Sequence, residues 1–178
     1  KIYFFDDKDR YFKYQGEELS KGIDIKDSDN SDFPVIPLKF DCALNTEENS
    51  IIMFFKGTKV YRYDISSEKL ESDYTDGKDI KDEFGEDIKN IDAAVLFEGD
   101  YYLFKKNLVY KFTPGEPGVK EGYPKKINEE FPNMPENIDA FTKYDNKYYV
   151  IKGIQFYIVE NDKKINLGTG ENKYPQYL

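Results

Sequence analysis

The chain has 178 residues, with 26 Lys or Arg against 35 Asp or Glu and a formal net charge of −9. That balance argues against duplex nucleic acid or an anionic membrane surface as partner, since neutralising phosphate needs a cationic face. Histidine is absent and Cys42 is the one cysteine, which removes histidine-ligated zinc or haem, a Ser/His/Asp triad, a Cys–His pair and an intrachain disulfide.

Burial has to come from 16 Tyr and 14 Phe, because there is no Trp and 34% of the residues are charged. Their placement predicts strands. In chain order, Ile2-Tyr3-Phe4-Phe5 and Phe12-Lys13-Tyr14 read as two strands. An acidic stretch, Asp27 to Asp32, follows as a loop, and then a Phe33-Pro34 mark with Pro37. Phe40-Asp41-Cys42-Ala43 opens the next unit, which continues through Ile52 to Phe55 and Tyr61-Arg62-Tyr63. Ile80 and Phe84, spaced i and i+4, share one face of a short helix. The order then returns: Ile91-Asp92-Ala93-Ala94, Tyr101 to Phe104, Tyr110-Lys111-Phe112, and the pair Ile127 and Phe131 with Pro132 and Pro135. It returns again as Ile138-Asp139-Ala140-Phe141, Tyr148 to Ile151 and Tyr157-Ile158-Val159. Phe33, Phe84 and Phe131 each lie eight positions before an Asp (41 − 33, 92 − 84, 139 − 131), and the Asp residues are 51 and 47 apart.

A unit of three or four short strands cannot bury both faces alone, whereas radial stacking of copies does so and protects strand edges. The expected fold is therefore all-β, a four-bladed β-propeller with short helices between blades. Blade 1 covers about 1–37, blade 2 about 38–88, blade 3 about 89–135 and blade 4 about 136–178. By the spacing, the inner strand of blade 1 falls before Lys1. Small residues after each Asp suit inner strands crowded on a narrow axis.

These marks resemble the hemopexin-like repeat, through Ile91-Asp92-Ala93-Ala94, Tyr102-Leu103-Phe104-Lys105, Tyr110-Lys111-Phe112, Gly122-Tyr123-Pro124 and Phe131-Pro132 with Pro135. The repeat is found at the end of matrix metalloproteinases and in legume seed albumins. Tyr or Phe stands here where the family often has Trp, and Cys42 alone cannot make the disulfide that clips many animal members. The resemblance implies that main-chain carbonyls of inner-strand Asp residues, here Asp41, Asp92 and Asp139, point into the channel and bind calcium, for which such hard oxygens are suited. Two residues on, Ala43, Ala94 and Phe141 form a second axial layer, where the resemblance implies sodium or chloride. The alternative is that Asp only fixes the strand end and the channel holds water.

The function implied is a non-enzymatic binding module, secreted or extracellular, offering blade faces or the channel mouth to a protein, a glycan or a small cationic ligand. Other readings are a polyamine or haem ligand, the latter held by Tyr, Met or Cys; a targeting domain of a larger secreted or toxin-like protein; and a glycosidase-like enzyme with paired carboxylates. No nucleic acid and no membrane span are expected. Cys42 reads as a small hydrophobe in an inner strand. Asp27, Asp29 and Asp32 read as loop charge or a surface calcium loop, and Glu47-Glu48 as solvated charge.

Overall fold

The computed structural model describes residues 2–5, 8–15, 18–26, 31–46, 50–144, 146–153, 155–159, 163 and 165–167. Among them, four antiparallel sheets follow one another along the chain. The first contains β1 (Ile2–Phe5), β2 (Arg10–Gln15), β3 (Glu18–Leu19) and β4 (Ile23–Asp24). The second contains β5 (Cys42–Asn45), β6 (Ile51–Lys56), β7 (Lys59–Asp64), β8 (Lys69–Leu70) and β9 (Lys78–Asp79). The third contains β10 (Ala93–Phe97), β11 (Asp100–Lys105), β12 (Leu108–Phe112) and β13 (Lys125–Lys126), and the fourth β14 (Ala140–Tyr144), β15 (Lys147–Lys152), β16 (Gln155–Val159) and β17 (Ile165–Leu167). Two short helices, α1 (Ile80–Phe84) and α2 (Ile127–Glu130), close the second and third sheets. This is the all-β propeller arrangement expected from the repeat.

The registers are copies of one another. Phe55 pairs with Val60, Phe104 with Val109 and Ile151 with Phe156. In β6 and β11 the middle strand is an apolar run buried on both faces, whereas in β15 Val150 is buried and Tyr149 and Ile151 are half-buried. On β11, Tyr101 and Leu103 pack toward the second sheet, while Tyr102 and Phe104 pack toward the fourth. On β6, Met53 and Phe55 pack toward the third sheet and Phe54 toward the first. Strand alternation thus feeds two cores rather than one core and solvent.

Three cores result, one at each junction between consecutive sheets. Tyr11, Ile25, Phe33, Phe54 and Tyr63 fill the first. Met53, Phe84, Leu103 and Phe112 belong to the second, and Phe97, Phe104, Phe131 and Phe141 to the third. Phe33, Phe84 and Phe131 are the plugs, each almost without solvent exposure. Phe33 meets Tyr3 edge-on at 4.8 Å between centroids, Phe84 meets Phe112 at 5.1 Å and Phe131 meets Tyr102 at 5.4 Å. Each such pair contributes about 0.5–1.5 kcal/mol beyond burial itself.

Gly85 caps α1 in the left-handed region at φ 72°. A Cβ there would stand 2.7 Å from the main-chain nitrogen of Gly118, so the site needs glycine for approach as well as for conformation.

Candidate functional site: an axial channel with an aspartate collar

The inner strands β5, β10 and β14 each pair on one side only, with β6, β11 and β15. β10 lies beside both β5 and β14 without pairing to either. Their side chains alternate toward the inter-sheet cores. Cys42, Leu44 and Ala94 enter the second core, while Ala93, Val95, Phe97 and Phe141 enter the third. Ala43 packs toward the first core. The free sheet edges, with their main-chain N–H and C=O groups, therefore face the axis.

A cavity of about 460 Å³ opens at the start of these strands and is lined by Asp41, Asp92 and Asp139 together with Asn90, Asn137 and Lys105. The three sequence-predicted aspartates are thus brought to one mouth. Their carboxylates are engaged locally. Asp41 Oδ2 accepts the Gly57 amide at 2.7 Å, Asp92 Oδ2 accepts the Lys106 amide, and Asp139 Oδ2 accepts the Gly153 amide at 2.6 Å. The donating amides sit at equivalent turns, between β6 and β7, β11 and β12, and β15 and β16. The Asp amides in turn donate to Phe55, Phe104 and Ile151 carbonyls at 2.6–2.9 Å.

The collar continues between sheets. Asn90 N–H donates to the Gly57 carbonyl at 2.8 Å and Asn137 N–H to the Lys106 carbonyl at 3.1 Å. Lys39, Asn90 and Asn137, each two positions before its Asp, all take the left-handed conformation at φ 51–52°. Lys56, Lys105 and Lys152 each send an ammonium to a carbonyl just upstream of the Asp, those of Leu38, Asn90 and Glu136. Sequence reading missed this lysine and asparagine framework. Asn at 90 and 137 was the available signal, because Asn tolerates that conformation; Lys39 carries no such signal.

Among the described residues, no three His, Cys, Asp or Glu side chains gather to hold a metal ion. Each of the three aspartates commits one carboxylate oxygen to a turn amide. A second cavity, about 450 Å³, lies at the far end of the inner strands against Leu44, Ala94, Leu96, Phe141 and Tyr148. Of the predicted second layer, Ala94 and Phe141 reach this cavity and Ala43 does not line it. The Phe141 side chain is 3% exposed within the third core.

Cys42 is buried, and burial first, then Asp41 and Asp92, pushes its thiol well above the ordinary range. It behaves as a small hydrophobe, not as a nucleophile. Asp32 pairs with Lys13 at 2.6 Å; Asp27, Asp29, Glu47 and Glu48 lie outside the described residues. No described helix is long and apolar enough to cross a membrane.

Comparison with known proteins agrees with this geometry. The Hemopexin family profile matches residues 91–136. Interstitial collagenase B of Mus musculus is 30% identical over 134 residues, covering 71% of this chain and 26% of the collagenase. The chain thus spans about a quarter of that relative's length. Two solved structures share the fold: hemopexin fold protein CP4 from cow pea (TM-score 0.61, 21% identity, 76% of this chain and 70% of CP4) and a plant lectin with two metal binding sites from Cicer arietinum (TM-score 0.63, 18% identity, 76% and 70%). With the repeat visible in sequence, in register and in these likenesses, the chain is a hemopexin-like repeat domain.

Proposed function

We propose that the chain is a binding module whose axis holds a hard cation, calcium, on the main-chain carbonyls of Asp41, Asp92 and Asp139. One observation carries the reading: the three carboxylates are each tied to a turn amide while the inner-strand edges face the channel. A ring of carbonyl dipoles with water completing the shell suits calcium. A monovalent ion, sodium or chloride, belongs in the layer of Ala43, Ala94 and Phe141. The likeness to a lectin with two metal binding sites supports an ion in this fold.

Blade faces and the channel mouth are the surfaces offered to a protein, a glycan or a small cationic ligand, without catalysis. The aspartates at the mouth serve as turn acceptors rather than as a free pair of carboxylates, which favours binding over glycoside hydrolysis. A secreted or extracellular location is part of the proposal, supported by similarity to an interstitial collagenase.

Calcium titration calorimetry on the unsubstituted chain and on Asp92→Ala tests this. Saturable binding by the chain, weakened only several-fold by the substitution, is expected because the ligand is a carbonyl. Absence of binding at millimolar calcium, or its complete loss in Asp92→Ala, contradicts it.

A further inference from the structure

The residue before each plug phenylalanine is acidic: Asp32, Glu83 and Glu130. In the second sheet the Glu83 carboxylate is satisfied from nearby chain, by Tyr74 OH at 2.6 Å and Lys78 Nζ at 2.8 Å. The third sheet adds something. Met53, opposite Arg62, is replaced at the equivalent register by Tyr102, opposite Lys111. Tyr102 and Phe131 then place two rings beside Glu130, whose side chain is 5% exposed.

Into this aromatic and acidic slot comes the ammonium of Lys163, which lies between β16 and β17. Lys163 Nζ donates to Glu130 Oε1 and, at 3.5 Å, to Tyr102 OH. It stands 5.6 Å from the Tyr102 centroid and 5.3 Å from that of Phe131. Tyr102 OH donates to the same carboxylate oxygen at 3.3 Å, and Lys125 pairs with Oε2 at 3.4 Å. A cation against ring faces with a buried carboxylate behind it is how aromatic cages recognise ammonium ligands.

We propose that Tyr102, Phe131 and Glu130 form a recognition site for a primary alkylammonium ion, filled in cis by Lys163. The site is distinct from the axial channel and does not depend on an ion there. An amine offered by a small ligand competes with Lys163, so occupancy from outside is linked to release of the Lys163 ammonium from Glu130.

The test uses the full chain carrying Lys163→Ala, melted with n-propylammonium chloride or with sodium chloride at equal ionic strength, in the tens of millimolar range. The variant is expected to melt below the unsubstituted chain. Propylammonium should restore at least half of the loss and sodium nothing, with Glu130→Gln added to the variant abolishing the rescue. Equal responses to the two salts overturn the proposal. Should Lys163→Ala fail to fold, the unsubstituted chain decides by the rate of reductive methylation at each lysine. Lys163 must react at least several-fold more slowly than exposed Lys89 and Lys126; equal rates overturn the site.

Discussion

Asp92 secures two segments with one side chain: its Oδ2 holds the turn at Lys106 while its Oδ1 lies 3.1 Å from Lys105 Nζ. Asp41 and Asp139 repeat the turn bond. Asp92→Ala should therefore lower stability by about 1 kcal/mol, the net worth of such a hydrogen bond, seen as a shifted urea midpoint; an unchanged midpoint would show the turn bond to be idle. Glu130 offers a pH test. Burial pushes its carboxyl up, but hydrogen bonds from Lys163 and Tyr123, with help from Lys125, outweigh that and hold it below its usual range. A depressed folded-state value means the group adds stability above its unfolded value, near 4.3, and loses it as pH falls further. Tyr102 also faces this carboxylate. The stability gap between the chain and Glu130→Gln should be largest near neutrality and close between about pH 5 and pH 3; parallel profiles would contradict the assignment. At this scale the sequence displays the Asp and the small residues after it. It hides the amide partners, which lie 14 to 16 residues away on turns where glycine at 57 and 153 gives way to Lys106 in the third sheet.

The connectors join sequence pattern to packing. The i, i+4 pairs Ile80 and Phe84, and Ile127 and Phe131, were legible because both residues must point the same way, and both pairs end fully or almost fully buried. Ile80 N–H and Ile127 N–H donate to the Thr58 and Asn107 carbonyls at 2.8 and 2.9 Å, which hooks each helix onto a turn of its own sheet. Phe131→Ala should cost about 3–5 kcal/mol, since the surrounding rings of Phe97, Tyr102, Phe104 and Phe141 cannot collapse into the gap. A loss below about 1 kcal/mol in thermal unfolding would mean the ring is not a plug. Gly85→Ala should cost more than about 1 kcal/mol, from left-handed strain and the approach of Gly118; a neutral result would refute that close contact. The acid before each plug was visible as a repeat, but its meaning was not. Lys163 reaches Glu130 across 33 residues, and no local spacing announces a partner from between β16 and β17.

For the whole molecule, four sheets in one register surround an axis, and the aromatic residues are spent on the junctions between sheets. This explains how a chain with 34% charged residues and no Trp builds a core. The repeat length, the strand runs and the all-β class were readable because each copy has to solve the same burial problem. The proposed ion site is not readable from side chains, because the proposed donor atoms belong to the main chain and every residue has them. The net charge of −9 favours a cation in the channel. A cation that binds only the folded array stabilises it by mass action, by about 2.7 kcal/mol at one hundred times its dissociation constant. The most direct measurement is the unfolding temperature in excess EDTA and across a calcium series from micromolar to millimolar. The proposed calcium site on the axis predicts a rise that grows with the logarithm of calcium above saturation and is erased by EDTA; a melting temperature indifferent to both would contradict it.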